Sequence, residues 1–341
     1  MTTLVELLRF NSKCLFLRLA LFAFVCGACV GYNFAQGKRE TLLALNKGDN
    51  TLAIIDAATM KVVGKVPTGD SPHEVVASAD GKTAFVANYG AQTPGSSLSV
   101  IDVEAKKEIR RVDLSPLLRP HGIVEIGGKI YFTAETSRAV ARYDPATNKV
   151  DWTMGTGQNG SHMIVVSSDQ KRIYTANIGS DSVTAFEFNN VPPAQSKISQ
   201  IAVGKQPEAI DLAPDGKEIW VGLNAEGAVD VVDAATLKVV EKLKLGERPY
   251  RVRFTPDGKQ VLFTIPSTKE IIIYDRATRK ETKRMKLESV PLGVVFSADG
   301  KTAYVSAVES DVVLKIDLEK MSVVGRVETG LAPDGLALIG K

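Results

Sequence analysis

Residues 207–246 read PEAIDLAPDGKEIWVGLNAEGAVDVVDAATLKVVEKLKLG. Four short runs of alternating or β-branched apolar residues lie in this stretch, separated by three turn-forming segments. Such runs predict four strands of one antiparallel sheet. Asp215-Gly216 is typical of a two-residue type I′ hairpin turn. Asp233, in the later turn DAAT, is expected to bond the backbone just beyond it through its side chain.

The same unit recurs along the chain. Alignment of the residue after the Pro, or after the Ser in its place, gives seven equivalent positions: His73, His121, His162, Glu208, Tyr250, Leu292 and Asp334. A repeat of about 40–45 residues with four strands is typical of a propeller blade. The sequence therefore predicts an all-β fold, a seven-bladed β-propeller with four antiparallel strands per blade.

The two ends of the chain complement each other. Residues 40–68 hold three predicted strands, at 41–45, 51–56 and 61–67, with no innermost strand before them. The stretch PDGLALI at 333–339 is an innermost strand with nothing after it. We expect the N-terminal strands to pair with this C-terminal strand, which closes the ring and leaves no long open edge. Residues 36–341 are thus predicted to form a single propeller domain.

The first 35 residues are predicted to be a secretory signal peptide. Three basic residues precede an apolar run at 19–30, and Ala35 is a small residue before a possible cut. The run is too short for a typical membrane span. Cleavage after Gly31, a lipoprotein modified at Cys29 and an uncleaved anchor are the alternatives. The expected location is the periplasm or the exterior of a bacterial cell, with no transmembrane span in the mature chain.

The positions of the cysteines and the net charge of the mature chain limit the kinds of partner that we expect. All three cysteines, Cys14, Cys26 and Cys29, lie in the predicted signal segment, so the mature domain has no thiol and no disulfide. Removal of residues 1–35 leaves 39 basic and 38 acidic residues. A net charge of about +1 gives no reason to expect nucleic acid as a partner. We expect a monomer that binds an unidentified protein or small molecule.

The repeat resembles a known family. The pattern Pro-x-x-[IV], Asp-Gly-Lys, a strand ending near Asn, Val-x-Val-x-Asp and Lys-Val-Val, from which some copies depart, is similar to the YVTN repeats of seven-bladed propellers, including YncE-like secreted proteins. The motif strand reads FVAN at 85–88 and YTAN at 174–177, whereas YVSA at 304–307 departs from it. The resemblance covers the chain after residue 40. It implies the fold and leaves the function open.

All three histidines of the chain occupy one repeat position in consecutive blades. Because equivalent positions surround the propeller axis, His73, His121 and His162 are expected to meet at the mouth of the central tunnel, with Glu208, Tyr250 and Asp334 completing the ring. Three imidazoles and a carboxylate suit zinc or copper, so His73, His121, His162 and Glu208 are candidate metal ligands. An organic ligand at the mouth and a structural role, with each imidazole bonded to a neighbouring carbonyl, are the alternatives.

Further charged residues fall near the same end of the tunnel. They are Arg119, Lys205, Arg248, Arg251 and Glu74. They could bind an anionic small molecule, although ordinary solvated rim charge is the favoured interpretation. Two stretches lengthen the chain on this face, at 89–97 and 113–119, and an insertion at 189–197 lies on the opposite face.

Two functions fit these features. The mature chain has no Gly-x-Ser-x-Gly elbow, no phosphate-binding Gly loop and no haem-attachment motif. We therefore predict binding of a protein or small ligand at the tunnel-mouth face. The alternative is a metal- or cofactor-dependent enzyme of the lactonase, lyase or redox type, which the resemblance to other propellers implies and which would use the histidine cluster.

Overall fold

A computed structural model of the protein describes residues 40–340. The predicted signal segment at 1–35 lies outside the described residues. Within 40–340 no helix is long and apolar enough to cross a membrane. The strands, in chain order, are β1 Thr41–Asn46, β2 Thr51–Asp56, β3 Lys61–Pro67, β4 Pro72–Ala77, β5 Thr83–Asn88, β6 Ser97–Asp102, β7 Lys107–Asp113, β8 Pro120–Ile126, β9 Lys129–Ala134, β10 Ala139–Asp144, β11 Lys149–Gly155, β12 Ser161–Val166, β13 Arg172–Asn177, β14 Ser182–Phe188, β15 Ser196–Ala202, β16 Pro207–Leu212, β17 Glu218–Leu223, β18 Ala228–Asp233, β19 Lys238–Lys244, β20 Arg251–Phe254, β21 Gln260–Ile265, β22 Glu270–Asp275, β23 Lys280–Lys286, β24 Pro291–Phe296, β25 Thr302–Ala307, β26 Val312–Asp317, β27 Ser322–Glu328 and β28 Pro333–Ile339.

These strands form seven four-stranded antiparallel sheets, which are the blades of a propeller. Six blades use four consecutive strands each. The seventh has the order β28-β1-β2-β3, with Thr41 paired to Ile339 and Asn46 to Pro333. The prediction that the N-terminal strands pair with the C-terminal strand is confirmed. We number this closing blade 1 and the others 2 to 7 along the chain.

The hydrophobic core lies between the blades. Each buried cluster combines residues of two adjacent blades; in one of them Trp220 and Val231 of blade 5 pack with Phe254 and Phe263 of blade 6. Trp220 is fully buried and stacks on Phe263 at 6.2 Å between ring centroids. Since the second and third strands of a blade are covered on both faces, their apolar runs are nearly continuous.

The turns confirm one prediction and correct another. Asp233 Oδ1 accepts hydrogen bonds from the backbone N–H groups of Ala235 and Thr236, as expected. The Asp-Gly turns, in contrast, are not the predicted two-residue type I′ turns. In the turn of residues 213–218 only Gly216 has positive φ, at 69°, and its N–H donates to the carbonyl of Ala213. The loop is longer because Asp215 caps it, accepting the N–H of Lys217.

The asparagine that ends the motif strand has a structural role. The Asn88 side chain is buried, accepts the N–H of Gly69 and donates to the hydroxyls of Ser97 and Ser99. Asn177 makes equivalent bonds to Ser182 and Thr184. These amides tie the segment that enters a blade to its second and third strands.

The entry into each innermost strand positions the tunnel mouth. In six of the seven innermost strands the register shifts next to the residue that follows Pro or Ser, as between Pro72 and Glu74. A β-bulge of this kind re-aims side chains. Here it allows two consecutive residues, such as His73 and Glu74, to reach the tunnel.

Candidate ligand site at the tunnel mouth

The predicted ring exists, and we call it the entry ring: His73, His121, His162, Glu208, Tyr250, Leu292 and Asp334. The histidines lie side by side in blades 2, 3 and 4. Ring centroids lie 5.0 Å apart for His73 and His121 and 3.9 Å apart for His121 and His162. The Tyr89 ring covers the outer end of the stack, 4.4 Å from His73 and 5.3 Å from His121. The structure therefore brings the three imidazoles together, as the sequence predicted.

A second ring, which the sequence analysis missed, surrounds the first. It consists of the residue directly after the second strand of each blade, and we call it the loop ring: Lys47, Tyr89, Glu135, Ile178, Asn224, Pro266 and Val308. Six of them donate a backbone N–H to the carbonyl two residues before the entry-ring residue of the same blade. The seventh, Pro266, has no N–H. Alignment of the repeats on the ends of their second strands, instead of on Pro, would have revealed the loop ring.

A chain of hydrogen bonds connects the two rings across four blades. Tyr89 Oη donates to Glu135 Oε1 at 3.0 Å, and Glu135 Oε2 lies 2.9 Å from His162 Nδ1. His162 Nε2 is 3.2 Å from Glu208 Oε1, and Asn224 Nδ2 donates to Glu208 Oε2 at 3.5 Å. Both nitrogens of His162 thus face carboxylates. This is the arrangement that a charged imidazolium requires.

The three imidazoles have opposite tendencies to ionise. Burial alone would lower the pKa of His162, but the hydrogen bonds and charges of Glu135 and Glu208 outweigh it and raise this pKa to about 9. Burial lowers the pKa of His73 to about 4, and burial with the neighbouring charge on His162 lowers the pKa of His121 well below its usual value. At neutral pH the imidazolium of His162 therefore lies against the neutral imidazole of His121, which in turn contacts the neutral imidazole of His73.

Each of the two neutral histidines has one nitrogen atom that is an open acceptor or lacks a hydrogen-bond partner. His73 Nδ1 is 2.9 Å from the carbonyl of Ser71, so that nitrogen carries the proton and Nε2 is the acceptor. His121 is only 3% exposed, and its Nδ1 has no hydrogen-bond partner among residues 40–340. A buried polar atom without a partner is costly and is uncommon away from functional sites.

Asp334 forms the other side of the entry ring. It is buried, and Lys47 Nζ lies 3.2 Å from its Oδ2. Tyr250 Oη is 3.4 Å from both carboxylate oxygens of Asp334. Burial and the nearby Asp334 raise the pKa of Tyr250 well above its usual value, so its hydroxyl stays protonated.

Below the rings the tunnel is blocked. Arg251 of blade 6 reaches across the tunnel and pairs with Glu74 of blade 2. We call this layer the throat. Both side chains are largely buried, so the expectation of solvated rim charge is wrong for these two residues. Burial raises the pKa of Glu74, and the facing Arg251 offsets only part of that effect. A space of about 20 Å³ remains in the throat, room for one water molecule.

The remaining predicted residues lie on the rim. The Arg119 guanidinium stacks 4.5 Å from the centre of the Tyr89 ring and donates to the carbonyls of Gly90 and Ala91, so it holds the lengthened loop over the histidines. Lys205 is exposed and pairs with Asp181 at 2.6 Å. Arg248 is exposed and borders an open cavity on this face.

That cavity adjoins the entry ring over blades 5 to 7. Its volume is about 450 Å³, and it is lined by Asn224, Arg248, Tyr250, Pro266, Ser267, Val290 and Leu292. Two of these belong to the entry ring and two to the loop ring. We call it the mouth cavity. Its size and its largely apolar lining with a few polar groups are typical of small-molecule sites.

The geometry does not support the predicted metal. The ring planes are tilted by 58° between His73 and His121 and by 32° between His121 and His162, and both nitrogens of His162 are bonded to carboxylates. Within 40–340, no group of three or more His, Cys, Asp or Glu side chains is arranged to hold an ion. Ligation of zinc or copper by His73, His121, His162 and Glu208 stays an untested prediction.

Comparison with known proteins identifies the family. A sequence profile described as YncE-like β-propeller matches residues 125–294 and 188–338, which together span more than half of the chain. Among curated proteins, none matches the sequence significantly.

Solved structures show the same fold. The chain is similar to hydrazine synthase of Kuenenia stuttgartiensis, with 22% identity over 78% of this chain and 89% of that chain and a TM-score of 0.67. It is also similar to a proposed 6-phosphogluconolactonase from Bacteroides uniformis, with 13% identity, coverage of 89% and 100% and a TM-score of 0.73. A protein of unknown function from Desulfotomaculum acetoxidans has 11% identity, coverage of 86% and 98% and a TM-score of 0.73. At such identities the likeness concerns the fold alone.

Proposed function

Because the chain belongs to the YncE-like family of β-propellers, its function lies in a site carried by the fold, and we propose that this site binds a small molecule at the tunnel mouth. The observation that carries the proposal is the meeting of the ionisable side chains of both rings beside an open cavity of about 450 Å³. Charged groups are rarely buried unless they are paired or functional. This mouth gathers His162, Glu135, Glu208 and Asp334 in one place.

The shape of the recess favours a small molecule over a protein segment. Arg251 and Glu74 pair across the tunnel below the rings, so the mouth is a recess with this layer as its floor. Its floor and walls are tied together by hydrogen bonds between blades, as from Tyr89 to Glu135 and from His162 to Glu208. A rigid recess of this kind binds a compact ligand with little loss of conformational freedom.

A ligand-observed NMR screen tests the proposal. Wild-type protein is screened by saturation transfer against organic acids, sugars, amines and lactones. Val290 lines the mouth cavity, so Val290→Trp is expected to fill it and abolish the signals of true ligands. Val240→Trp is the matched control, because Val240 is 58% exposed on the outer strand β19. Binding that survives Val290→Trp, or no binding in any of the four classes, would contradict the proposal.

One arrangement supports the second candidate function, an enzyme that uses acid–base chemistry. The Ser71 carbonyl fixes the tautomer of His73 and leaves Nε2 free to accept a proton, as an oriented catalytic base requires. Turnover is to be measured on lactones and esters with wild type and His73→Asn, which keeps a donor to Ser71. Activity that is lost in the variant supports an enzyme; equal rates in both proteins exclude His73 as the base.

We also propose that residues 1–35 direct export of the chain. The protein is then expected in the periplasm or the medium, with a new N-terminus after Ala35. Intact mass measurement of the protein from each cell fraction tests this. Elemental analysis of the same sample, purified without chelator beside His121→Ala, decides the untested prediction of zinc or copper.

A further inference from the structure

The polar groups of the mouth cavity indicate the chemistry of its ligand. Arg248 is the one charged residue among those that line it. Arg248 is exposed, and no ion pair or hydrogen bond joins it to another residue of the described range 40–340. Other arginines near the mouth are occupied: Arg251 pairs with Glu74, and Arg119 bonds two carbonyls. The cavity therefore presents one free guanidinium.

The acidic neighbour of Arg248 forms no ion pair with it. Glu247 precedes Arg248 in the chain, and its Oε2 is directed to Ser267, whose hydroxyl it accepts at 2.8 Å. Asp334, on the far side of Tyr250, is balanced by Lys47 at 3.2 Å and by Arg251 at 3.8 Å. A negatively charged group of a ligand would thus find an unpaired partner in Arg248, whose planar fork matches a carboxylate.

The rest of the lining is suited to an apolar body. Pro266, Val290, Leu292 and the ring of Tyr250 form the walls, and Asn224 contributes an amide beside the entry ring. Leu292 takes the place of the histidines in the entry ring of blades 2 to 4, and Pro266 takes the place of Tyr89 and Glu135 in the loop ring of blades 2 and 3. The two halves of the mouth therefore differ: one is filled by stacked imidazoles, and the other is an apolar recess with a cation at its edge.

We propose that the mouth cavity takes a small carboxylate with an aromatic or branched apolar body. The carboxylate pairs with Arg248, and the body lies against Pro266, Val290 and Leu292. This inference rests on the proposed function, because it names the ligand class of the same site.

Isothermal titration with chosen probes tests the inference. Phenylacetate and 3-methylbutanoate are compared with neutral phenylacetamide on wild type, Arg248→Gln and Arg326→Gln. Arg326 is exposed on β27 of blade 7, far from the cavity lining, and is the matched control. We expect the acids to bind about tenfold or more tightly than the amide, a difference of about 1.4 kcal/mol. Arg248→Gln should remove that difference, and Arg326→Gln should keep it.

The outcomes separate the inference from the proposed function. Equal binding of acid and amide, no effect of Arg248→Gln, or no binding of any probe would overturn the carboxylate assignment. Ligands of another class that bind wild type but not Val290→Trp would still support a small-molecule site. Melting curves of both arginine variants are expected to match wild type, because neither side chain is buried.

Discussion

His162 connects more of the mouth than any other side chain described above. Its ring lies between Glu135 and Glu208, stacks on His121 and takes its backbone position from Thr133, whose hydroxyl donates to the His162 carbonyl at 2.6 Å. The two carboxylates come from blades 3 and 5. A single imidazolium therefore links three blades at the mouth.

We expect His162→Leu to destabilise the fold by about 3–5 kcal/mol, the usual cost of leaving a buried charge without its partner. The variant leaves Glu135 and Glu208 near each other without the cation between them. Urea unfolding monitored by tryptophan fluorescence measures the change. In a background of Glu135→Gln and Glu208→Gln the same substitution should cost far less; an equal cost in both backgrounds would show that packing, and not charge, is lost.

The opposite pKa shifts predict a stability maximum near pH 6.5. Between pH 6.5 and about 9, folded His162 keeps a proton that the unfolded chain has released, so stability falls as the pH rises. Below pH 6.5 His73 of the unfolded chain becomes protonated, whereas folded His73 stays neutral down to about pH 4. Stability therefore also falls as the pH drops through this range. His162 lowers the pKa values of Glu135 and Glu208 against the effect of burial. Protonation of these two carboxylates therefore also reduces stability as the pH falls.

Unfolding free energies measured at intervals between about pH 5 and 9 check this profile. His162→Gln should flatten the alkaline fall, and His73→Asn should reduce the acid fall. A wild-type profile that rises steadily through pH 9 would contradict the protonated state assigned to His162.

At the residue scale the sequence predicted where side chains lie better than it predicted their charge and burial. The shared repeat position of His73, His121 and His162 followed from alignment on Pro, and the structure brings these residues together. The charge of His162 could not be predicted, because it depends on Glu135, which lies in a loop of variable length. The burial of Glu74 was missed because the bulge that turns His73 and Glu74 to the tunnel leaves no periodic signal. The burial of Arg251 was missed because it depends on the pairing of Arg251 with Glu74 of another blade.

The innermost strands are the elements that decide how closely the blades approach. Three glycines directly follow entry-ring residues, and an added Cβ on each would lie against the entry-ring carbonyl of the next blade. The added Cβ would lie 2.8 Å from the His162 oxygen at Gly122, 2.1 Å from the Asp334 oxygen at Gly293 and 2.3 Å from the His73 oxygen at Gly335. Glycine is required here because the backbones of neighbouring strands meet.

Gly335→Ala is therefore expected to cost about 1–3 kcal/mol, as overpacking typically does, and to displace the backbone at His73. Gly155→Ala is the matched control, since its Cβ would meet only the Arg138 oxygen at 3.9 Å. The control should stay within about 0.5 kcal/mol of wild type. Equal stability of the two variants in urea would mean that blades 1 and 2 can separate at this point without cost.

Strand boundaries were predictable because the apolar alternation and the turns repeat seven times. The strands predicted at 51–56, 61–67 and 333–339 have the observed bounds, and 41–45 ends one residue early. The Asp-Gly turns were assigned the wrong geometry. The dipeptide signals a turn but not its length, which Asp215 sets by bonding the Lys217 N–H.

At the scale of the whole molecule, closure of the ring holds the mouth together. β28 supplies both the innermost strand of blade 1 and Asp334 of the entry ring. Each blade packs on two neighbours, so the loss of one strand opens two interfaces as well as an unpaired edge on β1.

Deletion of residues 333–341 should abolish cooperative unfolding and cause aggregation, because β1 would expose an unpaired, apolar edge. Deletion of residues 340–341 alone is the control and should leave the melting temperature close to that of the full chain. Calorimetry and size-exclusion chromatography make the comparison. A monomeric, cooperatively melting product of the longer deletion would show that closure through β28 is dispensable.

The central claim, that the tunnel-mouth face binds the ligand, is tested most directly by hydrogen–deuterium exchange. The tightest small-molecule hit of the NMR screen is added to wild-type protein, and backbone exchange is followed by mass spectrometry. We predict slower exchange confined to the entry segments and second-to-third strand loops, above all residues 245–250, 266–269 and 287–292 around the mouth cavity. Protection of the opposite face instead, at the 189–197 insertion or the Asp-Gly turns, would contradict the account.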